Sequence, residues 1–167
     1  LHAWQPRLNI TRHARVGNQD SWIEARPSPT PGFFVRGHID YGPTGPIGCQ
    51  TCELEITQQS FCQDLAPART FILKKEGDML RSQNLAMRVT TADLLVFDEH
   101  GPIDNPLRFP DECVRHKLLD MVGDFSLAAC DISGQLVAHC SGHRLNAELV
   151  RSLLKEFEVE RYYQRSA

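Results

Sequence analysis

The 167-residue sequence lacks any apolar run of the roughly 18 to 20 residues that a membrane-spanning helix needs. It also lacks an excess of basic residues: its formal net charge of -3 leaves no basic footprint of the kind that nucleic-acid-binding proteins carry. Hydrophobic residues make up 41% and charged residues 23%, which excludes the collagen-like and disordered classes. We therefore expect a globular cytoplasmic domain that neither spans a membrane nor binds nucleic acid. Because the first residue is Leu1, we also expect translation to begin further upstream.

A second CxxC pair, which a structural zinc tetrad would require, is missing as well. The only such spacing joins Cys49 to Cys52, in an apparent strand whose positions three apart point to opposite faces. We interpret the six cysteines as buried free thiols. The alternative, a thiol redox protein that uses Cys49 and Cys52, predicts a depressed thiol pKa.

Alternating and helical hydrophobic patterns divide the chain into short strands and longer helices. Strands are predicted over residues 20–25, 33–39, 52–56, 70–73, 94–97 and 136–138. Helices are predicted over residues 58–65 after an N-cap at Thr57, over 75–82, from 110 to about 127 and over 146–162. Strands and long helices in one chain favour an α+β fold, a two-layer sandwich of a β-sheet packed against helices.

The helix that begins near Pro110 carries the most informative polar pattern. His116, Asp120 and Asp124 follow one another at intervals of four, so their side chains project from one helix face. An imidazole and a carboxylate at this spacing can bind one divalent cation. An ordinary His–Asp pair on a solvated helix face is the competing interpretation, and two ligands are fewer than catalytic zinc normally takes.

A second candidate is His143, which lies between a predicted strand and the last helix. An imidazole in such a loop-to-helix position can face a cleft and exchange protons. An N-terminal helix residue without chemistry is the alternative.

Four segments, residues 68–71, 107–109, 112–124 and 141–146, together closely resemble the UDP-3-O-acyl-N-acetylglucosamine deacetylase family (LpxC). The likeness runs in the same order from about residue 20 to residue 154. The resemblance implies a zinc-dependent hydrolase that removes the N-acetyl group of UDP-3-O-(3-hydroxyacyl)-N-acetylglucosamine in lipid A biosynthesis. The implied partners are that substrate and the N-terminal domain of the same protein.

The resemblance also implies roles for individual residues. His116 and Asp120 match two zinc ligands, His143 the catalytic histidine, Asp124 the aspartate that orients it, and Lys117 a lysine near the metal. Three further positions match substrate-binding residues, namely Thr70, Phe71 and Tyr41. The whole chain, residues 1–167, would be the C-terminal domain, with a small inserted subdomain at about 71–104 that shapes the acyl passage.

The sequence departs from the family at one essential point. The third zinc ligand and the general-base glutamate come from a Glu-His pair that opens a helix in the family's N-terminal domain, and nothing here matches it. The only Glu-His pair, Glu99 and His100, is followed by Gly101 and Pro102, which favour a loop. We therefore expect little or no turnover from this chain alone. A stand-alone binding domain that keeps the fold without catalysis remains the alternative.

Overall fold

The structure, a computed structural model, describes residues 6–84 and 94–165, with side chains described as far as residue 155. The described residues form nine strands: β1 (Arg7–Asn9), β2 (Ala14–Gly17), β3 (Trp22–Arg26), β4 (Phe33–Asp40), β5 (Cys49–Glu55), β6 (Phe71–Leu73), β7 (Leu95–Asp98), β8 (Gly101–Pro102) and β9 (Asp131–His139). Six of them form one sheet in the order β2-β3-β9-β4-β5, with β1 beside the start of β9. The long strand β9 is parallel to β1 and β4 and antiparallel to β3.

Four α-helices accompany the strands in the described part of the chain. They are α1 (Gln58–Ser60), which continues into a π-helical turn at Phe61–Leu65, then α2 (Lys74–Ser82), α3 (Glu112–Ser126) and α4 (His143–Arg165). Helices α3 and α4 pack on each other and against strands of the large sheet. The predicted α+β fold, a sheet layered against helices, is confirmed. No helix in the described part of the chain is both long and apolar enough to cross a membrane.

Helix α3 lies unusually close to the sheet at Gly37 of β4. A β-carbon at this position would come within 2.8 Å of Leu118 Cδ2 and 3.4 Å of Val114 Cγ2. Both of these side chains are fully buried. Only glycine therefore allows α3 to pack this close to the sheet. The contact sets the distance between α3 and the sheet, and with it the position of the polar side chains of α3.

The predicted elements match the structure best where hydrophobic alternation is long. The strand at 33–39 is β4, and the helix at 58–65 exists as α1 and its π-helical turn, with Thr57 as the N-cap. Prediction missed β1, β2 and the two-residue strand β8, whose Gly101 and Pro102 were expected in a loop, and it gave only a part of β9. Helix α4 begins three residues earlier than expected, at His143. Leu127 was assigned to the buried face of α3 and is 81% exposed, so that assignment is wrong.

A separate three-stranded sheet of β6, β7 and β8, accompanied by α2, occupies the region predicted as an inserted subdomain. Residues 85–93 of that region lie outside the described residues. The predicted boundaries of about 71–104 therefore stay a prediction.

Candidate functional site

The polar face of α3 brings together the residues that the sequence pattern singled out. His116 Nε2 lies 3.4 Å from Asp120 Oδ1, and Lys117 Nζ lies 3.3 Å from Asp120 Oδ2. The His116 and Asp120 side chains are each 16% exposed. The predicted metal pair is thus partly buried, in contact, and flanked by a fixed positive charge.

The hydrogen bonding of His116 bears on whether this pair suits a cation. His116 Nδ1 lies 3.3 Å from the carbonyl oxygen of Ala68, an acceptor, so Nδ1 carries the proton and donates it. In the neutral ring, the lone pair of Nε2 then faces the Asp120 carboxylate, another acceptor. Two acceptors at 3.4 Å are favourable only with a cation between them, either a proton on the ring or a metal ion.

The same geometry fits zinc. Two ligand atoms of a tetrahedral zinc with bonds of about 2.0 Å are roughly 3.3 Å apart. A carbonyl that accepts from the second ring nitrogen is the usual support of a metal-binding histidine, because it fixes the tautomer. Within the described residues, however, no group of three or more His, Cys, Asp or Glu side chains is arranged to hold a metal. As zinc ligands, His116 and Asp120 would be two of the three protein ligands that a catalytic zinc normally takes.

One helical turn beyond Asp120, Asp124 holds His143. The Nδ1 atom of His143 lies 2.8 Å from Asp124 Oδ2 and 3.1 Å from Oδ1. The Asp124 side chain is 19% exposed and that of His143 is 70% exposed. The carboxylate is thus anchored while the imidazole, the first residue of α4, projects outward with Nε2 available to a ligand.

Sequence analysis assigned no role to the two residues behind this pair. Asn146 donates from Nδ2 to Asp124 Oδ2 at 2.8 Å, and the Ser141 hydroxyl donates to Asn146 Oδ1 at 2.9 Å. Asn146 is buried. Its position three residues after His143, in the same first turn of α4, is the sequence signal that could have placed it near that residue.

Aromatic side chains form the side of the site next to β6. The Phe71 ring packs edge-on against Tyr41, with ring centroids 5.7 Å apart, and against His116 at 6.5 Å. Lys117 Nζ lies 5.8 Å from the same ring. Burial raises the pKa of Tyr41, so the phenol keeps its proton near neutral pH. Thr70, also predicted for this site, is exposed at the start of the same segment.

A buried ion pair anchors the segment that carries Ala68, Thr70 and Phe71. The Arg69 guanidinium donates to both carboxylate oxygens of Glu112, at 2.8 and 3.0 Å, and its backbone N–H donates to the same group at 3.0 Å. The Glu112 side chain is completely buried. This Arg69–Glu112 clamp was not predicted, although both residues lie in the segments that carry the family resemblance.

The predicted opposite orientation of the CxxC cysteines is confirmed, since Cys49 is exposed and Cys52 is buried. The prediction that the cysteines are buried holds for Cys52 and Cys113 but is wrong for Cys49 and Cys62, which are exposed.

Comparison with known proteins identifies the family of this chain. The sequence model of LpxC, described as UDP-3-O-acyl N-acetylglycosamine deacetylase, matches residues 2–155. The UDP-3-O-acyl-N-acetylglucosamine deacetylase of Colwellia psychrerythraea is 36% identical over 157 residues, which cover 93% of this chain and 51% of that protein. The protein of the same name from Mannheimia succiniciproducens is 37% identical over 154 residues, or 91% and 50% of the two chains.

A third relative with this name, from Psychrobacter arcticus, is 37% identical over 91% of this chain and 48% of its own length. The chain thus spans about half the length of the curated relatives it matches. With 154 of its residues inside one family match and this level of identity to several members, the chain belongs to the UDP-3-O-acyl N-acetylglycosamine deacetylase family, LpxC.

Proposed function

We propose that this chain is the C-terminal half of a zinc-dependent amide hydrolase that removes the N-acetyl group of UDP-3-O-(3-hydroxyacyl)-N-acetylglucosamine in lipid A biosynthesis. One observation carries the proposal: His116 and Asp120 lie in contact on α3, and one turn further along the same helix Asp124 holds His143 of α4, in a chain that belongs to this family. The chain would supply two zinc ligands and the catalytic histidine. A further half of the protein would supply the third ligand and the general base.

His116 and Asp120 are the residues that would hold zinc. When bound, zinc supplies Lewis-acid polarisation of the acetamide carbonyl and lowers the pKa of water at the site. Lys117 places a second positive charge beside Asp120, where negative charge develops on the carbonyl oxygen as the amide is attacked.

His143 is suited to act as the general acid. Its Nδ1–H donates to Asp124, so the carboxylate stabilises the imidazolium form and leaves the proton on Nε2 for transfer. That proton would go to the amide nitrogen as the carbon–nitrogen bond breaks, releasing a free amine and acetate. The outward projection of the ring, at 70% exposure, suits a group that meets its substrate.

The aromatic side of the site would bind the rest of the substrate. Phe71 presents an apolar ring next to His116, which suits contact with an acyl chain close to the reacting amide. Tyr41 is 40% exposed and offers a ring for the nucleotide end, and Thr70 offers a hydroxyl near the amide.

The proposal is tested with two variants of a longer polypeptide that contains this chain and the second half. His116→Ala is expected to lower zinc affinity by about 100-fold or more, because one of the ligands is lost. His143→Ala is expected to keep stoichiometric zinc and to lower kcat by about 10²- to 10⁴-fold, the usual contribution of a positioned acid. Metal content and deacetylation of the acylated UDP-sugar are measured for both.

His100→Ala is the matched control, since this side chain is 84% exposed and lies in the turn between β7 and β8. It should change neither quantity. Full zinc content in His116→Ala would refute the ligand assignment, and near-normal turnover in His143→Ala would remove the catalytic role of that residue.

A further inference from the structure

Behind the His143–Asp124 pair lies a polar side chain that is almost sealed from solvent. Asn146 is 2% exposed, and its amide nitrogen donates to the same Oδ2 of Asp124 that accepts from His143, each at 2.8 Å. A buried amide is costly unless its hydrogen bonds are made. Asn146 is therefore held where it is by its partners on two other segments.

The orientation of the amide follows from the chemistry of those partners. An ionised carboxylate only accepts hydrogen bonds, so the NH₂ group must face Asp124. The carbonyl oxygen then faces Ser141, whose hydroxyl donates to it at 2.9 Å. Ser141 precedes α4, Asn146 lies in its first turn, and Asp124 belongs to α3, so the three bonds join the start of one helix to the last turn of the other.

We propose that Asn146 is a positioning residue, whose amide, oriented by Ser141, holds the Asp124 carboxylate so that Oδ2 points at Nδ1 of His143. This inference rests on the proposed role of His143 as general acid. A carboxylate that accepts from a single partner can rotate about the bond that carries it. Two donors to one oxygen fix the direction in which that oxygen points and keep negative charge on it. The imidazole is thereby kept in one tautomer and one orientation.

A small pocket next to Asn146 is lined by other titratable side chains, whose influence must be separated from that of Asn146. These are Lys117 and Asp120 of α3 and His38 of β4, which line the pocket together with Ser141 and Asn146. Arg144 follows His143 on α4, but its guanidinium points to Glu148, 3.8 Å away. The readout must therefore be specific for the His143 ring.

The downfield proton resonance of the hydrogen-bonded Nδ1–H of His143 is such a readout, and it can be followed by NMR in this chain without any turnover. In Asn146→Ala we expect this resonance to move or to be lost to exchange with water. In the longer protein we expect kcat to fall about 10-fold, part of the acid's contribution, with KM changed less than about twofold. The pH profile of kcat should shift, which a purely structural role would not cause.

Ser141→Ala is the second variant, because it keeps the amide and removes only its orienting partner. It should change the same resonance in the same direction and to a smaller extent, and it decides the question if Asn146→Ala does not fold. Ser126→Ala is the control: it removes a hydroxyl of α3 that donates to the Gly123 carbonyl, outside the network.

The outcomes separate this inference from the proposed function. A wild-type resonance and wild-type kcat in folded Asn146→Ala would overturn the positioning role while leaving the deacetylase proposal intact. The opposite result is a changed resonance in Asn146→Ala together with a longer protein that does not deacetylate the UDP-sugar. It would overturn the proposed function and the role of His143 as general acid.

Discussion

Cys49 and Cys52 lie three positions apart on β5, which directs their side chains to opposite faces of the sheet. Burial raises the pKa of the Cys52 thiol to about 11, and the hydrogen bond to Asp40 raises the pKa of Cys49. A redox pair needs a lowered thiol pKa, since the thiolate is the reactive form. The redox interpretation predicted that lowering and is wrong.

The first prediction concerns thiol reactivity. Burial also raises the pKa of Cys113, to about 12, so that the ionised fraction of this thiol near neutral pH is roughly 10⁻⁴ or less. With iodoacetamide at pH 7.5, Cys49 and Cys62 should be modified in the folded protein, and Cys52 and Cys113 only after unfolding. Peptide mass spectrometry measures the order, and equal rates at Cys62 and Cys113 would contradict it.

The second prediction concerns the Arg69–Glu112 clamp. Breaking a buried ion pair leaves an unpaired charge, so Arg69→Met should lower the free energy of unfolding by about 3 to 5 kcal/mol. It should also weaken zinc binding in the longer protein, because the next residue back supplies the carbonyl that fixes His116. Arg36→Met is the control, as its pair with Glu53 is about half exposed and should contribute about 0 to 1 kcal/mol.

The Arg69–Glu112 pair also makes the free energy of unfolding depend on pH. Burial alone would raise the pKa of Glu112, but hydrogen bonds from Arg69 and from the Arg108 backbone outweigh it, so the pKa is below its ordinary value of 4.5. The stabilisation is therefore complete above about pH 4.5 and is lost as pH falls through the lowered value. In urea unfolding between pH 6 and 3, Glu112→Gln should be less stable at pH 6 and should lose this part of the acid dependence. A wild-type pH dependence in this variant would contradict the assignment.

At the scale of elements, the third prediction tests how α3 is held on the sheet. Gly37→Ala places a methyl group 2.8 Å from buried Leu118, and such overpacking costs about 1 to 3 kcal/mol. The displaced helix should also disturb the contact between His116 and the Ala68 carbonyl and so lower zinc affinity. Both effects are read from urea unfolding and from a zinc titration of the longer protein.

Gly123→Ala, in α3 itself, is the control with the opposite sign. A β-carbon there meets no other atom within 4 Å, and alanine is the better helix former by roughly 0.5 to 1 kcal/mol. A stabilising Gly37→Ala, or a destabilising Gly123→Ala, would contradict this account of the packing.

Hydrophobic alternation predicted the long strand β4 and missed the short strand β1. Strand β4 alternates over eight residues, whereas β1 has three residues and a single buried one, Leu8. The start of β9 was missed because Ser133 and Gly134 are typical of a turn. Gly134 has a φ of +139°, and a β-carbon there would lie 2.7 Å from Ile10 Cβ, so a close approach, invisible in sequence, requires it.

The residues of the candidate site were also predictable only in part from the sequence. Spacing alone placed His116, Asp120 and Asp124 on one helix face, and the structure has them there. The contact of Asp124 with His143 joins residues 19 positions apart and depends on how α3 packs against α4. Ala68, Arg69 and Asn146 act through a carbonyl, a buried ion pair and a buried amide, and only the tertiary structure identifies such supporting contacts.

At the scale of the whole molecule, the proposal that this chain supplies two of the zinc ligands gives the fourth prediction. Two protein ligands should bind zinc far more weakly than three, so this chain alone should hold zinc at least about 100-fold less tightly than the longer protein. Turnover by the isolated chain should be close to zero. Competition with a chelator measures the first quantity and deacetylation assays the second. Equal zinc affinity would mean that this chain completes the site by itself.

Strand β9 lies between two hairpins that are each local in sequence, β2 with β3 and β4 with β5. During synthesis on the ribosome both hairpins emerge early, but the strand that joins them comes last. Roughly 80 residues separate the end of β5 from the end of β9, which takes about 4 to 16 s at 5 to 20 residues per second. Throughout that interval the inner edges of β3 and β4 have no partner strand, and unpaired edges are the surfaces at which nascent chains aggregate.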